Sequence, residues 1–237
     1  MDKQAIRERV WDDLADASVA RFPFPPHGRI PNVAGADRAA ERLAERPEWE
    51  RATAFKSNPD APQLPVRRRA LHDGRTVYMA VPRLRDERCF MGLDPATIAD
   101  LDAAPTVSHA DEYATRVGPD ALPHVDLIVA GSVAVSPAGD RIGKGEGYSD
   151  LEWAILAEAG LVDRETTVAT TVHERQVVDD AFTPDAHDVP MDLVVTPERV
   201  LETDRREDRP EGIDWAALDE ERIAEMPVLA SLRERRG

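Results

Sequence analysis

Apolar residues recur at Ile6, Val10, Leu14 and Ala17, a spacing of three and four that places them on one face and predicts a helix from Met1 to roughly Arg21. The stretch "FPFPPHGRIPN" follows, and its prolines predict an extended connector. Asp37 to Arg46 reads as a second helix, with Asp37 as N-cap and Glu41 close behind. "ATAFKSNPD" reads as a short strand running into a turn. "LPVRRRALHDGRTVYMAVPRL" reads as a helix, an Asp-Gly turn and a strand over Thr76–Val81. The most apolar strand is Val125–Ala130, and such an uninterrupted run suits a strand buried on both faces, as in a parallel sheet. A helix over Asp150–Ala159 stops at Gly160, and "TTVATTV" and "MDLVVT" supply two more strands. Strands alternating with helices predict a layered α/β fold, and no internal repeat interrupts them. From Glu202 onward "ETDRREDRPEG" reads as a charged linker, followed by a short helix over Trp215–Glu225 and the ending "MPVLASLRERRG". The expected organisation is one domain over residues 1–201 with a C-terminal appendage over 202–237.

Length and composition narrow the function. A chain of 237 residues buries close to three quarters of the surface it exposes unfolded. No run of about 18 apolar residues occurs, so no spanning helix is expected. The charged start "MDKQAIRERVW" lacks a signal-peptide core, and the single Cys89 excludes an intrachain disulfide and a cysteine metal cage. The expected location is cytoplasmic. The formal charge of −16 repels phosphate polymers and argues against nucleic-acid binding. Only three of the 30 basic residues are lysines: Lys3, Lys56 and Lys144. Abundant acid with almost no lysine matches the usage of an extreme halophile, where molar salt shortens the Debye length to about 3 Å; an acidic mesophile with a GC-rich genome is the alternative. Lysines that survive such depletion are candidates for special roles.

The chemistry concentrates in "DRIGKGEGYSDLEWAIL", Asp140 to Leu156. Gly143, Gly145 and Gly147 allow positive φ and close backbone approach. Their N–H groups, with the cations of Arg141 and Lys144, suit a phosphate. The spacing excludes two common nucleotide motifs. Only three residues separate Gly139 from Gly143-Lys144, where a Walker A loop needs four and then a hydroxyl; GxGxG is not the dinucleotide GxGxxG. A glycine-rich surface turn with solubilising charges is the bland alternative.

"GDRIGKGEGYSD" resembles the nucleotide loop of the 5-formyltetrahydrofolate cyclo-ligase family, GxRLGxGxGYYDR/K, at Gly139, Arg141, Ile142, Gly143, Gly145, Gly147, Tyr148 and Asp150. "DLIVAGSVAVSPAG" is similar to the strand before it, and "HERQVVDDAFTPDAHDVPMDLVVT" resembles the closing segment, with Glu174, Gln176, Pro184, His187, Asp188 and Asp192 in place. Lys3 and Arg7 stand at the spacing of the family's first helix. The resemblance spans roughly Met1 to Val200, and several stretches look closer to the methenyltetrahydrofolate-synthetase-domain branch. The departures are Ser149 for the second aromatic, Leu151 for the following base, and Ala130-Gly131 for Pro-Gly.

The resemblance implies a three-layer α/β/α sandwich with a mostly parallel sheet, of the NagB/RpiA/CoA-transferase-like kind. It implies ATP- and Mg²⁺-dependent closure of 5-formyltetrahydrofolate to 5,10-methenyltetrahydrofolate by a monomer or homodimer. Lys3, Arg7, Arg141 and Lys144 would hold phosphates with Gly143, Gly145, Gly147 and Tyr148; Arg141 and Lys144 would also act in catalysis. Asp150 and Asp192 would hold Mg²⁺. Lys56, Asn58 and Arg83 are the candidates for contact with the folate. Asp150 would equally suit a helix N-terminus through the macrodipole. His187-Asp188 reads as a turn before a metal pair, and Cys89 as a small core residue. Two other functions stay open: a nucleotide-binding regulator without folate chemistry, and an ATP-using enzyme acting on another pterin or formamide-like substrate.

Overall fold

The computed structural model describes residues 2–203, 205 and 209–236. In chain order the strands are β1 (Ala54–Ser57), β2 (Thr76–Ala80), β3 (Phe90–Leu93), β4 (Thr115–Val117), β5 (Leu127–Ala130), β6 (Ala134–Val135), β7 (Arg141–Ile142), β8 (Thr167–Thr171), β9 (Leu193–Val195) and β10 (Val200–Glu202). The α-helices are α1 (Lys3–Asp16), α2 (Ala36–Ala44), α3 (Pro47–Arg51), α4 (Leu64–His72), α5 (Ala110–Tyr113), α6 (Tyr148–Glu158), α7 (Glu220–Glu225) and α8 (Pro227–Arg236).

Among the described residues, eight strands form one sheet in the order β10-β9-β8-β5-β1-β2-β3-β4. The five central strands, β9 to β2 in that order, run parallel. The two edges are antiparallel. β1, β5, β8 and β9 are buried along their whole length, which explains the unbroken apolar or β-branched sequence of β5, β8 and β9; β1 carries Lys56 and Ser57. The antiparallel strands β3, β4 and β10 were not expected from the sequence, because runs of three or four residues show no decisive period. α2 and α4 pack together against β1, β2, β8 and β9. α6 connects β5 to β8, and a right-handed crossover puts it on the other face, completing the three layers.

The chain leaves β1 toward β2 on one side and leaves β5 toward β8 on the other. The order of connection reverses between β1 and β5, and the crevice beyond their carboxyl ends is where such sheets gather ligands. The two-stranded hairpin β6–β7 projects there. α1 rests on it through Ile6, Val10 and Leu14, which join Ile30, Val133 and Ile142 in a second apolar cluster. Burying each of these side chains stabilises the contact by roughly 1.5–3 kcal/mol, so α1 is held firmly beside the hairpin.

Several boundaries differ from expectation. α1 ends at Asp16: Ala17 caps it and Ser18 has φ +57°, so the chain turns before Arg21. α2 begins at Ala36, with Gly35 at the N-cap in place of Asp37; a Cβ on Gly35 would stand 2.5 Å from Pro197 Cγ. α6 begins at Tyr148, two residues before Asp150. The final segment holds two helices, with Asp219 capping α7 and Pro227 opening α8. Ile213, Ile223, Met226, Val228 and Leu229 belong to the main hydrophobic cluster, so this segment packs on the core of the sheet domain. Residues 204 and 206–208 of the charged linker lie outside the described residues.

Candidate functional site

Asn58, just after β1, and Gly131, just after β5, meet across the crevice: the Asn58 Oδ1 accepts from the Gly131 N–H at 3.3 Å. Gly131 is tightly packed: a Cβ would lie 3.0 Å from Ile30 Cγ2 and 3.1 Å from Asp60 Oδ2. Gln176 donates to the carbonyls of Ser132 and Val133 at 2.9 and 3.1 Å and pins the chain leading into the hairpin. Arg141, in β7, donates through Nη1 to the Gly131 carbonyl at 3.0 Å and through Nη2 to both oxygens of Asp150 at 2.7 and 2.6 Å. The loop 143–147 is thereby held between the crevice and the first turn of α6.

Two cavities flank this loop. The first, of about 370 Å³, is lined by Lys3 and Arg7 from α1, by Gly143, Gly145 and Gly147, and by the 185–188 turn. Lys3 and Arg7, four apart, share a face of α1. Arg7 Nε donates to the Gly143 carbonyl at 2.7 Å, tying helix to loop. A Cβ on Gly145, which has φ +104°, would come within 3.5 Å of the Arg7 guanidinium. Burial lowers the pKa of Arg7 below its ordinary value. Lys3 Nζ bonds Asp185 at 2.6 Å and Asp188 at 2.5 Å. Burial alone would lower its pKa, but the hydrogen bonds and charge of these carboxylates outweigh that and raise it.

The second cavity, of about 610 Å³, opens on the other side of the loop. Ile30, Met79, Met91 and Val107 make it largely apolar, and Asn58, Asp60, Arg83, Lys144, Ser149 and Glu152 supply its polar groups. Such a mixture suits a flat, amphipathic organic ligand. Burial raises the pKa of Asp60 against the pull of Lys144, Arg67 and Lys56. Arg141, Gly143, Glu146, Gly147 and Asp150 line both cavities, so the loop is their common wall.

The structure thus gathers Lys3, Arg7, Arg141, Gly143, Gly145 and Gly147 around the first cavity and Asn58, Arg83, Lys144 and Tyr148 around the second. Lys144 points to the second side, where it pairs with Glu146 at 2.7 Å. Three expectations need correction. Lys56 lines neither cavity; it is buried within β1 and forms an ion pair with Glu152, so its contact is with the wall of the second cavity. Asp150 has its oxygens engaged by Arg141 and by the Val189 N–H at 3.1 Å. Asp192 sits at the amino end of β9, paired with Arg209 and accepting from the Val168 N–H at 2.8 Å; it lines neither cavity. The expected pairing of Asp150 with Asp192 around one ion does not form.

His187 and Asp188, which the sequence offered as a turn or a metal pair, bring ligand atoms within 4.8 Å of one another and of Asp185, but the Lys3 ammonium bonds both carboxylates. Other site residues escaped the sequence. Arg222, from the C-terminal segment, reaches the first cavity and donates to the Glu146 carbonyl at 2.8 Å. Glu152 was visible as the lone charge among Leu151, Trp153, Ala154, Ile155 and Leu156, a pattern that asks for a buried partner. Burial raises its pKa against the pull of Lys56. Cys89 is a core residue, and burial pushes its thiol up to about 12.

A family model described as the 5-formyltetrahydrofolate cyclo-ligase family matches residues 1–197. The chain is 43% identical over 238 residues to a methenyltetrahydrofolate synthase domain-containing protein of Bos taurus, covering 98% of this chain and 62% of that one. The corresponding Homo sapiens protein is 39% identical over 239 residues, with 99% and 62% covered. The chain therefore spans about three fifths of the length of the curated relatives it matches. A solved structure, of a 5,10-methenyltetrahydrofolate synthetase from Aquifex aeolicus, shares the fold with a TM-score of 0.54 at 17% identity, covering 85% of this chain and 93% of that one.

Proposed function

Because this chain belongs to the 5-formyltetrahydrofolate cyclo-ligase family, we propose that it converts 5-formyltetrahydrofolate and ATP to 5,10-methenyltetrahydrofolate, ADP and phosphate. The observation that carries this reading is the shared wall: one glycine loop separates a charged cavity, which Lys3, Arg7, Arg141 and Arg222 line together with carboxylates, from a largely apolar one. The nucleotide occupies the first and the folate the second. The formyl oxygen then meets the terminal phosphoryl group at the edge of the loop, the bond to ADP breaks, N10 attacks the activated carbon and loses its proton, and phosphate departs.

Phosphoryl transfer asks a protein chiefly to position and to neutralise. Lys3 and Arg7 face the nucleotide cavity, the N–H groups of 143–147 are free to approach its phosphates, and Arg141 lines both sides. Arg141 is held by Asp150, so its guanidinium costs no reorganisation when charge develops. Lys144 stands on the folate side, where the activated formyl phosphate forms. The carboxylates offer no preformed magnesium cage: Asp150 and Asp192 are each paired with an arginine, and Asp185 and Asp188 with Lys3. Mg²⁺ would come with the triphosphate and neutralise its charge, as a hard ion that takes phosphate oxygens and water. No helix among the described residues is long and apolar enough to cross a membrane. A cytoplasmic protein working in high salt, as monomer or homodimer and without nucleic acid, completes the proposal.

The test is to mix the protein with 5-formyltetrahydrofolate, ATP and Mg²⁺ at high salt and follow the absorbance of the methenyl product. Its appearance with stoichiometric ADP supports the cyclo-ligase. ADP without the chromophore assigns another pterin or formamide-like substrate, and nucleotide binding without turnover assigns the regulator.

A further inference from the structure

Residues 209–236 lie beyond the stretch matched by the family model, which ends at 197. They nevertheless build one side of the first cavity, through Pro210, Ile213, Asp214, Ala217, Leu218 and Arg222. This wall is anchored. Trp153 Nε1 donates to the Pro210 carbonyl at 2.8 Å, the buried Arg209 donates to the Thr166 carbonyl at 2.7 Å, and Ile213 is itself part of the core. Arg222 extends from it across the cavity to the Glu146 carbonyl, with its guanidinium 5.7 Å from the Tyr148 ring centre. A Cβ on Gly147 would lie 3.6 Å from Arg222 Nη2, so the cation stands at the N-terminus of α6. Lys3 is countered there by two carboxylates, whereas Arg222 has no carboxylate partner among the described residues. A cation without a counter-ion, beside helix N–H groups and a second arginine, is a place for an anion.

We propose that the C-terminal segment is part of the nucleotide site. Arg222 bonds the polyphosphate from the side opposite α1, and Ile213, Ala217 and Leu218 form an apolar wall against the purine. This inference rests on the proposed function, because it assigns the first cavity to ATP.

Direct binding of ATP and of inorganic tripolyphosphate, without folate, tests it on the full chain. Arg222→Ala should weaken both about 10- to 100-fold, the worth of one or two charge-assisted hydrogen bonds. Arg222→Lys should recover part of that loss, and 5-formyltetrahydrofolate affinity should stay unchanged. Leu218→Asp should weaken ATP far more than tripolyphosphate. In turnover, Arg222→Ala should raise the KM for ATP with little change in the KM for folate. Native ATP affinity in Arg222→Ala, or an equal loss for ATP and folate, overturns the inference while leaving the proposed function standing. A native protein that binds folate and no ATP overturns both.

Discussion

The guanidinium of Arg141 lies against the carboxylate of Asp150, with Nη2 2.7 and 2.6 Å from its two oxygens and both side chains buried. The pair closes the base of the glycine loop, because Arg141 also bonds Gly131 and Asp150 also bonds Val189. Breaking one partner of a buried pair strands the other charge. Asp150→Asn should therefore lower the unfolding free energy by about 3–5 kcal/mol. Urea denaturation measures this. A variant as stable as the native protein, with Mg²⁺ dependence alone altered, would restore Asp150 to the role of a metal ligand.

Lys144 behaves differently. It is half-exposed and among the described residues its ion pair is with Glu146, so removing it costs the fold little. It lines the second cavity, and under the proposed function negative charge would develop there on the transferred phosphate. Lys144→Ala should keep the native melting curve and lose about 10²–10³ in kcat. Steady-state kinetics checks it, and unchanged turnover removes Lys144 from the reaction.

The Lys56–Glu152 pair spans β1 and α6 beneath the second cavity. Lys56→Met leaves a buried glutamate alone and should destabilise by about 3–5 kcal/mol, whereas Lys56→Met combined with Glu152→Leu should regain most of that. A double-mutant cycle by thermal denaturation reads the difference. If the double variant loses as much as the two single variants together, the sites do not interact.

Lys3 and Asp185 predict a pH dependence. The hydrogen bond and charge of Lys3 hold the Asp185 carboxyl below its usual value. A lowered folded pKa means the contact stabilises fully above the unfolded value, about 3.9, and is lost as pH falls through the folded one. The difference in thermal midpoint between native protein and Lys3→Met should be present at neutral pH and should vanish in acid. A difference that persists below that window would show that the carboxylates are not its source.

The charge of −16 predicts a salt response. Raising ionic strength from about 0.1 to 1 M shortens the Debye length from about 10 to 3 Å and screens self-repulsion across the acidic surface. The thermal midpoint should rise steadily with NaCl. A midpoint that falls over that range would count against the halophilic reading.

The sequence by itself determined what local rules govern. Continuous apolar or β-branched runs marked β5, β8 and β9 as buried parallel strands. Alternate glycines beside two cations marked the loop, since glycine allows close backbone approach and positive φ without steric cost. Lys3 and Arg7, four apart on α1, could be read as one face before any tertiary contact was known. The tertiary structure decided which charges meet. Asp150 and Asp192 look alike in sequence, yet each went to a different arginine, because a buried carboxylate takes whichever cation the packing brings to it. It also brought Arg222 back to the loop from beyond a charged stretch, and it turned Lys56 inward to Glu152. Such pairings depend on distances between segments far apart along the chain, and no local period records them.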